Sequence, residues 1–369
     1  METTNLVSSQ SKRYFEIDFV KFAAIIFMIF VHAYEVFSYD AFFESHGYEN
    51  NMLYFLNYII EFFGGVTAAP AFMFCMGLGI TFSKNPTPPK FMKRGVKILL
   101  VGILVNFFEE ILPIFWETPS FEEILEAIPG LFADDVYFFF GLTFFFFAFA
   151  FIVKKPVLIC SIAGVLSLIG SFFLPYMDFA SDNIAKNLVL GLFVYTNEYT
   201  FFPITAWIVF PTAGYLFGRI MSKVDIKANL YKISAAVSVG ILALSTVFGL
   251  SLGYTNSMLK PLECSDYDYY VPNFFSQLWG AAFVIVWIAI SYLIVGKIKD
   301  GKFRDLVIWS SENIMLIYVL HWLVIALMIP VLKLSYNIFF TYIACALITV
   351  MTFGFTKICL SLKKKMRKL

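Results

Sequence analysis

The stretch KFAAIIFMIFVHAYEVF, residues Lys21–Phe37, decides the fold, because it belongs to an apolar run long enough to cross a lipid bilayer. Its apolar interior nevertheless carries His32 and Glu35, which are one helical turn apart. An ionisable residue inside a membrane span is costly, so it is a candidate functional residue for which a polar partner is expected. The stretch therefore predicts a membrane helix with a functional polar face.

The rest of the chain has the same apolar character. Of its 369 residues, 60% are hydrophobic and 14% are charged, whereas a soluble domain is about 45–50% apolar. Runs long enough to span a bilayer lie near residues 17–38, 57–82, 95–115, 136–153, 156–175, 202–221, 230–252, 274–296, 307–329 and 336–360. We predict an all-α polytopic integral membrane protein with about ten transmembrane helices. It would form a single membrane-embedded domain over residues 1–369, with a core at 13–360 and a short basic tail at 361–369.

The charged residues predict the orientation of the spans. Most of the 27 Lys and Arg residues fall in alternate connections, while residues 98–153 carry acidic residues but no Lys or Arg. The positive-inside rule then places both termini in the cytoplasm and predicts a multi-pass protein of the cell membrane. The first apolar run has no small-residue cleavage site after it, which favours a retained span over a signal peptide. Residues 119–132 and 183–193 predict short amphipathic helices on the outer surface, the first capped by Ser120.

Polar residues in the first and ninth spans predict a polar centre in the outer half of the membrane. Lys21 and His32 are eleven residues apart, so they project from nearly the same face, which Asp18 and Glu35 extend. His321 lies at a similar depth in the ninth span. The matched depth of the two histidines favours a shared site. Either histidine alone could instead form a structural hydrogen bond to a neighbouring helix.

Other polar residues are weaker candidates. Glu61 precedes a Gly64–Gly65–Pro70 interruption that is expected to bend the second span. Asn106, midway along the third span, is a candidate to line a cavity. His46 lies in the first outer loop. The alternative for Glu35 and Glu61 is a solvated position at the membrane interface. The chain has no HExxH and no Cys/His cluster, and we predict neither a metal site nor a nucleic-acid partner.

The segment RYFEIDFVKFAAIIFMIFVH (13–32) resembles the first span of the transmembrane acyltransferase superfamily. This superfamily includes the acyltransferase 3 proteins and the heparan-α-glucosaminide N-acetyltransferase-like proteins. Further segments follow in the order of the family: FFGGVTAAPAFMFCMGLGITFSK (62–84), KRGVKILLVGILVN (93–106), DVYFFFGLTFFFF (135–147), TFFPITAWIVFPTAGYLFGR (200–219) and SSENIMLIYVLHW (310–322).

The resemblance implies transfer of an acyl group, usually acetyl, from cytoplasmic acyl-CoA to an acceptor on the far side of the membrane. His32 matches the expected general base. Lys21 stands where acyltransferase 3 members carry Arg, which keeps the charge but loses the bidentate guanidinium. His321 fits the I-Y-x-x-H motif, and His46 matches the loop histidine of the heparan branch loosely.

The same resemblance suggests further roles. Glu35 or Glu61 would orient the imidazole of the base. Tyr318, one turn before His321, would donate a hydrogen bond to the developing oxyanion. Cations would hold the phosphates of acyl-CoA, the donor substrate, for which the candidates are Lys21, Lys93 and Arg94. No permanently bound cofactor is expected, and the acceptor would be a glycan by analogy with the family.

Two other classes of protein remain open from the sequence. A transporter or flippase would also carry broken helices and buried ions. A membrane sensor or scaffold would show no dependence on acyl-CoA.

Overall fold

The computed structural model describes residues 13–46, 51–117, 119–133, 136–177, 179, 181, 183–196, 200–259, 266–332 and 338–367. In these ranges the regular elements are helices, with no β-strand. The α-helices are α1 (Phe15–His46), α2 (Asn51–Val66), α3 (Ala69–Thr81), α4 (Pro88–Asn106), α5 (Phe121–Ala127), α6 (Val136–Ile152), α7 (Pro156–Gly170), α8 (Ile184–Gly191), α9 (Ile204–Trp207), α10 (Val209–Lys223), α11 (Lys227–Ser251), α12 (Asp266–Tyr270), α13 (Phe274–Val295), α14 (Lys302–Glu312), α15 (Ile314–Met328) and α16 (Ile338–Met366). A π-helical turn (Phe107–Ile111) and short 3-10 helices (Pro113–Glu117, Ile128–Phe132 and Leu174–Tyr176) lie between them.

These helices confirm the predicted all-α polytopic fold. Within the described ranges, eight helical segments are long and apolar enough to cross a membrane. A ninth is the pair α14–α15, which is bent by 84°, and α6 is a shorter apolar helix. Each of the ten predicted spans therefore contains helix. The side of the membrane on which the termini lie stays a prediction.

The helix α1 lies at the centre of the bundle. It contacts α2, α3, α13, α14, α15 and α16, and 61% of its span is buried, against 17% for the spans of α7 and α11. A central helix can tolerate polar side chains, because neighbouring helices rather than lipid surround them. This position explains how the first span accommodates His32.

The predicted interruption of the second span is confirmed. Helix α2 ends at Val66 and α3 begins at Ala69, with Pro70 in its first turn, where a missing N–H is tolerated. Gly64 lies against α1, and a Cβ atom there would come within 2.6 Å of the Cβ of Val31. The glycine therefore permits the close approach of the helix that carries His32.

Short helices are present at both positions where the sequence predicts surface helices. The hydroxyl of Ser120 accepts a hydrogen bond from the Glu123 amide, and the Glu123 carboxylate accepts one from the Ser120 amide, which forms a capping box at the start of α5. Asn183 caps α8 through the amide of Lys186. Phe121 is 74% exposed, which suits a helix that lies on a membrane surface.

Polar contacts tie several helix termini together at one end of the bundle. Arg13 forms ion pairs with Asp18 at 2.6 Å and with Glu312, at the end of α14, at 2.5 Å. Tyr231, near the start of α11, donates to Glu16 at 2.6 Å. We call this region, with the N-termini of α1, α7 and α11 and the C-termini of α3, α10 and α14, the basic end. It is the end predicted to face the cytoplasm.

Candidate functional site

Two histidines from different helices meet inside the bundle. The Nδ1 atom of His32 on α1 lies 3.0 Å from the Nε2 atom of His321 on α15, at hydrogen-bond distance. His321 is fully buried, whereas His32 keeps partial exposure. The two residues are 289 positions apart in the chain, so the fold alone creates this pair.

The hydrogen bonds of the pair determine which nitrogen of each neutral ring carries the proton. Nδ1 of His321 contacts the backbone carbonyl oxygen of Tyr318, which can only accept, so this nitrogen donates. Nε2 of His321 must then accept from Nδ1–H of His32. The remaining nitrogen of His32, Nε2, is left with an available lone pair and has no hydrogen-bond partner within the described part of the chain. A polarised imidazole with a free lone pair is the arrangement that a general base requires.

An indole ring covers the pair. Trp322 stacks on His32 with ring centroids 4.8 Å apart and lies 5.2 Å from the ring of His321. Its Nε1–H is buried and, across the described residues, has no hydrogen-bond partner. A buried donor without a partner is costly, so this N–H is available to a bound substrate. The predictions from the sequence did not include Trp322.

The helix that carries His321 is fixed along its length. The 84° bend after Asn313 turns α15 away from the axis of α14, and the Asn313 side chain donates to the Trp309 carbonyl at 2.8 Å. Tyr137 donates to the Met315 carbonyl at 2.8 Å, and Trp116 donates to the Ala326 carbonyl at 2.9 Å. These bonds hold both ends of α15 and therefore fix the position of His321 in the bundle.

Helix α1 is anchored to the same bent pair. The carboxylate of Asp18 accepts hydrogen bonds from Arg13 at 2.6 Å and from the Ser311 hydroxyl at 2.5 Å. Asp18 is buried, and these two partners lie at the basic end. The predicted stripe of four polar residues on α1 is thus divided: Asp18 positions the helix, and His32 forms the site.

The predicted acidic residues converge on a tyrosine at the opposite end of the bundle. Glu35 is exposed and Glu61 is half-buried. Burial, followed by the nearby carboxylates of Glu35 and Glu61, raises the pKa of the Tyr269 hydroxyl on α12. This hydroxyl stays protonated and donates to the Gly65 carbonyl at 3.2 Å. We call this region, formed by Glu35, Glu61 and Tyr269, the far end.

The partner of the His32 imidazole is His321, whereas the sequence predicted Glu35 or Glu61 in that role. The hydrogen bond at Nδ1 of His32 joins it to the second histidine. Tyr318 contributes its backbone carbonyl to His321, and its ring lies 4.7 Å from the imidazole at an angle of 72°. Its position beside the pair agrees with the predicted neighbourhood of the site.

The predicted cations occupy two places. Lys21 is half-buried on α1, eleven residues or about 16 Å before His32 along the helix, and it interacts electrostatically with Cys75 on α3. Lys93 and Arg94 are exposed at the start of α4, where the Arg94 guanidinium lies 5.2 Å from the ring centroid of Phe144. Of the three cations, Lys21 lies on α1, the helix that carries His32.

The two remaining predicted site residues are Asn106 and His46. Asn106 is buried, and its amide donates to the carbonyls of Leu131 at 3.1 Å and Ala133 at 2.9 Å. Its amide group therefore holds the segment after α5 in place, and its place in a cavity lining stays a prediction. The side chain of His46, at the end of α1, lies outside the described part of the structure.

The fold and the site together define a class of protein, and the comparisons with known proteins extend the identification. A helical membrane bundle with a histidine pair in its interior can hold a proton acceptor away from bulk water, which is a requirement of a membrane-embedded transferase. Residues 14–358 match a family model described as "Acyltransferase domain". The protein is a membrane acyltransferase, and the chain belongs to the acyltransferase 3 family. No curated protein and no solved structure matches the chain.

Proposed function

We propose that the protein transfers an acyl group from acyl-CoA, bound from the basic end, to a hydroxyl or amine of an acceptor that approaches from the far end. The single observation that carries this proposal is the ordered hydrogen-bond chain from Tyr318 through His321 to His32. Acetyl as the acyl group and a glycan as the acceptor follow the family resemblance.

The reaction needs one proton acceptor. As the acceptor oxygen or nitrogen attacks the thioester carbon, its proton passes to Nε2 of His32. The imidazolium that forms is stabilised by the hydrogen bond from its Nδ1–H to His321. The carbon–sulfur bond then breaks, and the CoA thiolate leaves and takes up that proton. His321 acts through His32 and is thus a positioning residue.

The tetrahedral intermediate needs a donor for its oxyanion. Trp322 offers a buried N–H without a partner among the described residues, beside both imidazoles. Such a donor, fixed in advance in a site of low dielectric, stabilises charge that develops only in the transition state. We therefore assign the role of oxyanion donor to this indole N–H rather than to the Tyr318 hydroxyl.

Membrane access from two sides explains why the base lies inside the bundle. Lys21 and His32 lie on one helix, with Lys21 closer to the basic end. An acyl-CoA whose phosphate rests near Lys21 would direct its thioester along α1 towards His32. The acidic and aromatic groups at the far end suit an acceptor that forms hydrogen bonds, such as a sugar.

Two measurements on the purified protein test the proposal. Thermal unfolding against rising acetyl-CoA should give a saturable increase in melting temperature, because a ligand that binds the folded state stabilises it by about 2.7 kcal/mol at a hundredfold Kd. Free acetate serves as the control. Thiol release from acetyl-CoA should then increase with one member of a panel of sugars and amino sugars. Protein that shows neither response at millimolar acetyl-CoA would contradict the proposal.

Replacement of Lys21 by methionine should raise the KM for acyl-CoA about tenfold with little change in kcat. Loss of a hydrogen bond to a charged group costs about 1.5 kcal/mol or more, and about 1.4 kcal/mol corresponds to tenfold in affinity. Initial rates against acetyl-CoA concentration give both constants. Lys232→Met, at an exposed lysine of α11, is the matched control. An unchanged KM for Lys21→Met would place the donor phosphates elsewhere.

Replacement of Trp322 by phenylalanine should lower kcat about 10²-fold and leave the KM for acyl-CoA nearly unchanged. Phenylalanine keeps an aromatic ring against His32 but removes the N–H, and loss of one oxyanion donor typically costs about 10²–10³ in kcat. Steady-state kinetics on folded protein separate the two constants. A variant with the wild-type kcat would show that Trp322 serves packing.

A further inference from the structure

A cavity at the basic end shares no residue with the histidine site. It has a volume of about 610 Å³ and is lined by residues from the C-termini of α3 and α10, the connection between α6 and α7, and the first turns of α7. Its polar side chains are Thr81, Lys154, Lys155, Ser161, Tyr215 and Arg219. Neither His32, His321 nor Trp322 is among its lining residues.

The charge of this cavity is entirely positive. Lys154, Lys155 and Arg219 line it, and its lining contains no Asp or Glu. Within the part of the chain that the structure describes, none of these three cations forms an ion pair. Three basic side chains around one cavity make a strong field for an anion.

A tyrosine hydroxyl adds a donor. Tyr215 is 3% exposed, lines the cavity and interacts electrostatically with Arg219. Its hydroxyl has no hydrogen-bond partner within the described residues, while its backbone carbonyl accepts a bond from Thr81 at 3.0 Å. Because Tyr215 lines the cavity, its hydroxyl can donate to a ligand bound there.

The backbone of the same connection supports an anion as well. Lys154 has a φ of 59°, the left-handed region that non-glycine residues rarely adopt. Helix α7 then begins at Pro156 without a side-chain cap. The first N–H groups of a helix are free donors that favour negative charge. Pro156 has no N–H, so these donors are the amides of Val157 and Leu158, two residues that line the cavity.

The cavity opens at the level where a lipid-facing helix begins. Val157 and Leu158 are 43% and 50% exposed, and only 17% of the α7 span is buried inside the protein. Cations beside exposed apolar side chains are typical of sites where lysine extends towards the headgroup layer. The ligand can therefore be amphiphilic.

We propose that this cavity is a phosphate-binding site that takes the phosphate ester of an amphiphilic or nucleotide ligand. Two sources carry that chemistry: the headgroup of an anionic phospholipid and the phosphates of CoA. The phospholipid hypothesis is independent of the catalytic proposal, whereas the CoA hypothesis rests on the proposed function.

The experiment compares these sources on the full-length protein in neutral detergent. Melting temperature is followed against short-chain phosphatidylglycerol, the matching phosphatidylcholine, and CoA without an acyl group. A double variant, Lys154→Asn with Lys155→Gln, removes two charges, and asparagine tolerates the left-handed backbone at position 154. The control variant Lys232→Gln with Lys299→Gln removes two exposed lysines that do not line the cavity.

We expect a saturable increase with phosphatidylglycerol, with CoA, or with both, and a loss of about 25-fold in affinity in the cavity variant but not in the control. Each basic side chain close to an anionic headgroup contributes about fivefold. A response to phosphatidylglycerol alone, weakened in the cavity variant, identifies the lipid, and a response to CoA alone, weakened in the same variant, identifies the donor. No response to either, an equal response to phosphatidylcholine, or equal losses in both variants would overturn the proposal. Thiol release, measured separately, reports on the histidine site.

Discussion

Replacement of His32 by alanine is expected to lower kcat about 10⁴-fold, at the upper end of the range for a proton-transfer group. The variant loses the nitrogen that receives the proton and also the ring that His321 positions at 3.0 Å. The residual rate should come from binding and from the Trp322 N–H. Thiol release from acetyl-CoA in the presence of the acceptor measures this effect.

A matched variant separates the base from its support. In His321→Gln, the amide oxygen of glutamine can still accept from Nδ1–H of His32, so kcat should decrease by a smaller factor than in His32→Ala. A melting profile in detergent that matches the wild type shows that each variant is folded. A folded His32→Ala protein that retains more than a tenth of the wild-type rate would contradict the role of His32 as the base.

The His32 result also discriminates between the classes of function that the sequence left open. A transporter moves its substrate without breaking a thioester, so counterflow uptake could survive in His32→Ala while no thiol is released. An acyltransferase loses product and thiol together. The family match supports the second outcome, and the substitution tests it on this chain.

The fold was predictable because long apolar runs leave few alternatives in a bilayer. All ten predicted segments contain helix, and the capping box at Ser120 was readable from the local sequence. The 84° bend between α14 and α15 was not predicted. It falls at SSEN (310–313), which contains neither glycine nor proline, the residues that usually mark such a break.

The histidine site was predictable in part. Equal depth in two spans indicated that His32 and His321 share a layer of the bundle, but depth does not specify which helices are neighbours or which way each side chain points. The direct contact between their rings, the hydrogen bond at Nδ1 of His32 and the position of Trp322 all depend on the packing of α1 against α15. The cavity at Lys154 depends similarly on three separate parts of the chain.

Substitution of Gly77 by alanine should destabilise the protein by at least about 3 kcal/mol, the upper part of the range for overpacking. A Cβ atom at this position would lie 1.8 Å from the carbonyl oxygen of Pro211 and 2.9 Å from the amide nitrogen of Tyr215. At the same contact, a Cβ at Gly214 would lie 2.0 Å from the Phe74 carbonyl oxygen. The backbones of α3 and α10 thus touch directly, and no side-chain rotation can relieve the clash.

Gly79 provides the matched control for Gly77, because it lies two residues further along α3, is exposed, and a Cβ atom added there would meet no neighbouring atom within 4 Å. Alanine is favoured over glycine inside a helix by about 1 kcal/mol, so Gly79→Ala should hold or raise the melting temperature while Gly77→Ala lowers it. Thermal unfolding in one detergent compares the two. Since helix propensity favours alanine equally at both positions, a difference between the two melting temperatures isolates the packing of α3 on α10. Equal melting temperatures would mean that these helices are further apart than the structure places them, and the cavity that Thr81 and Tyr215 line between them would then lose its basis.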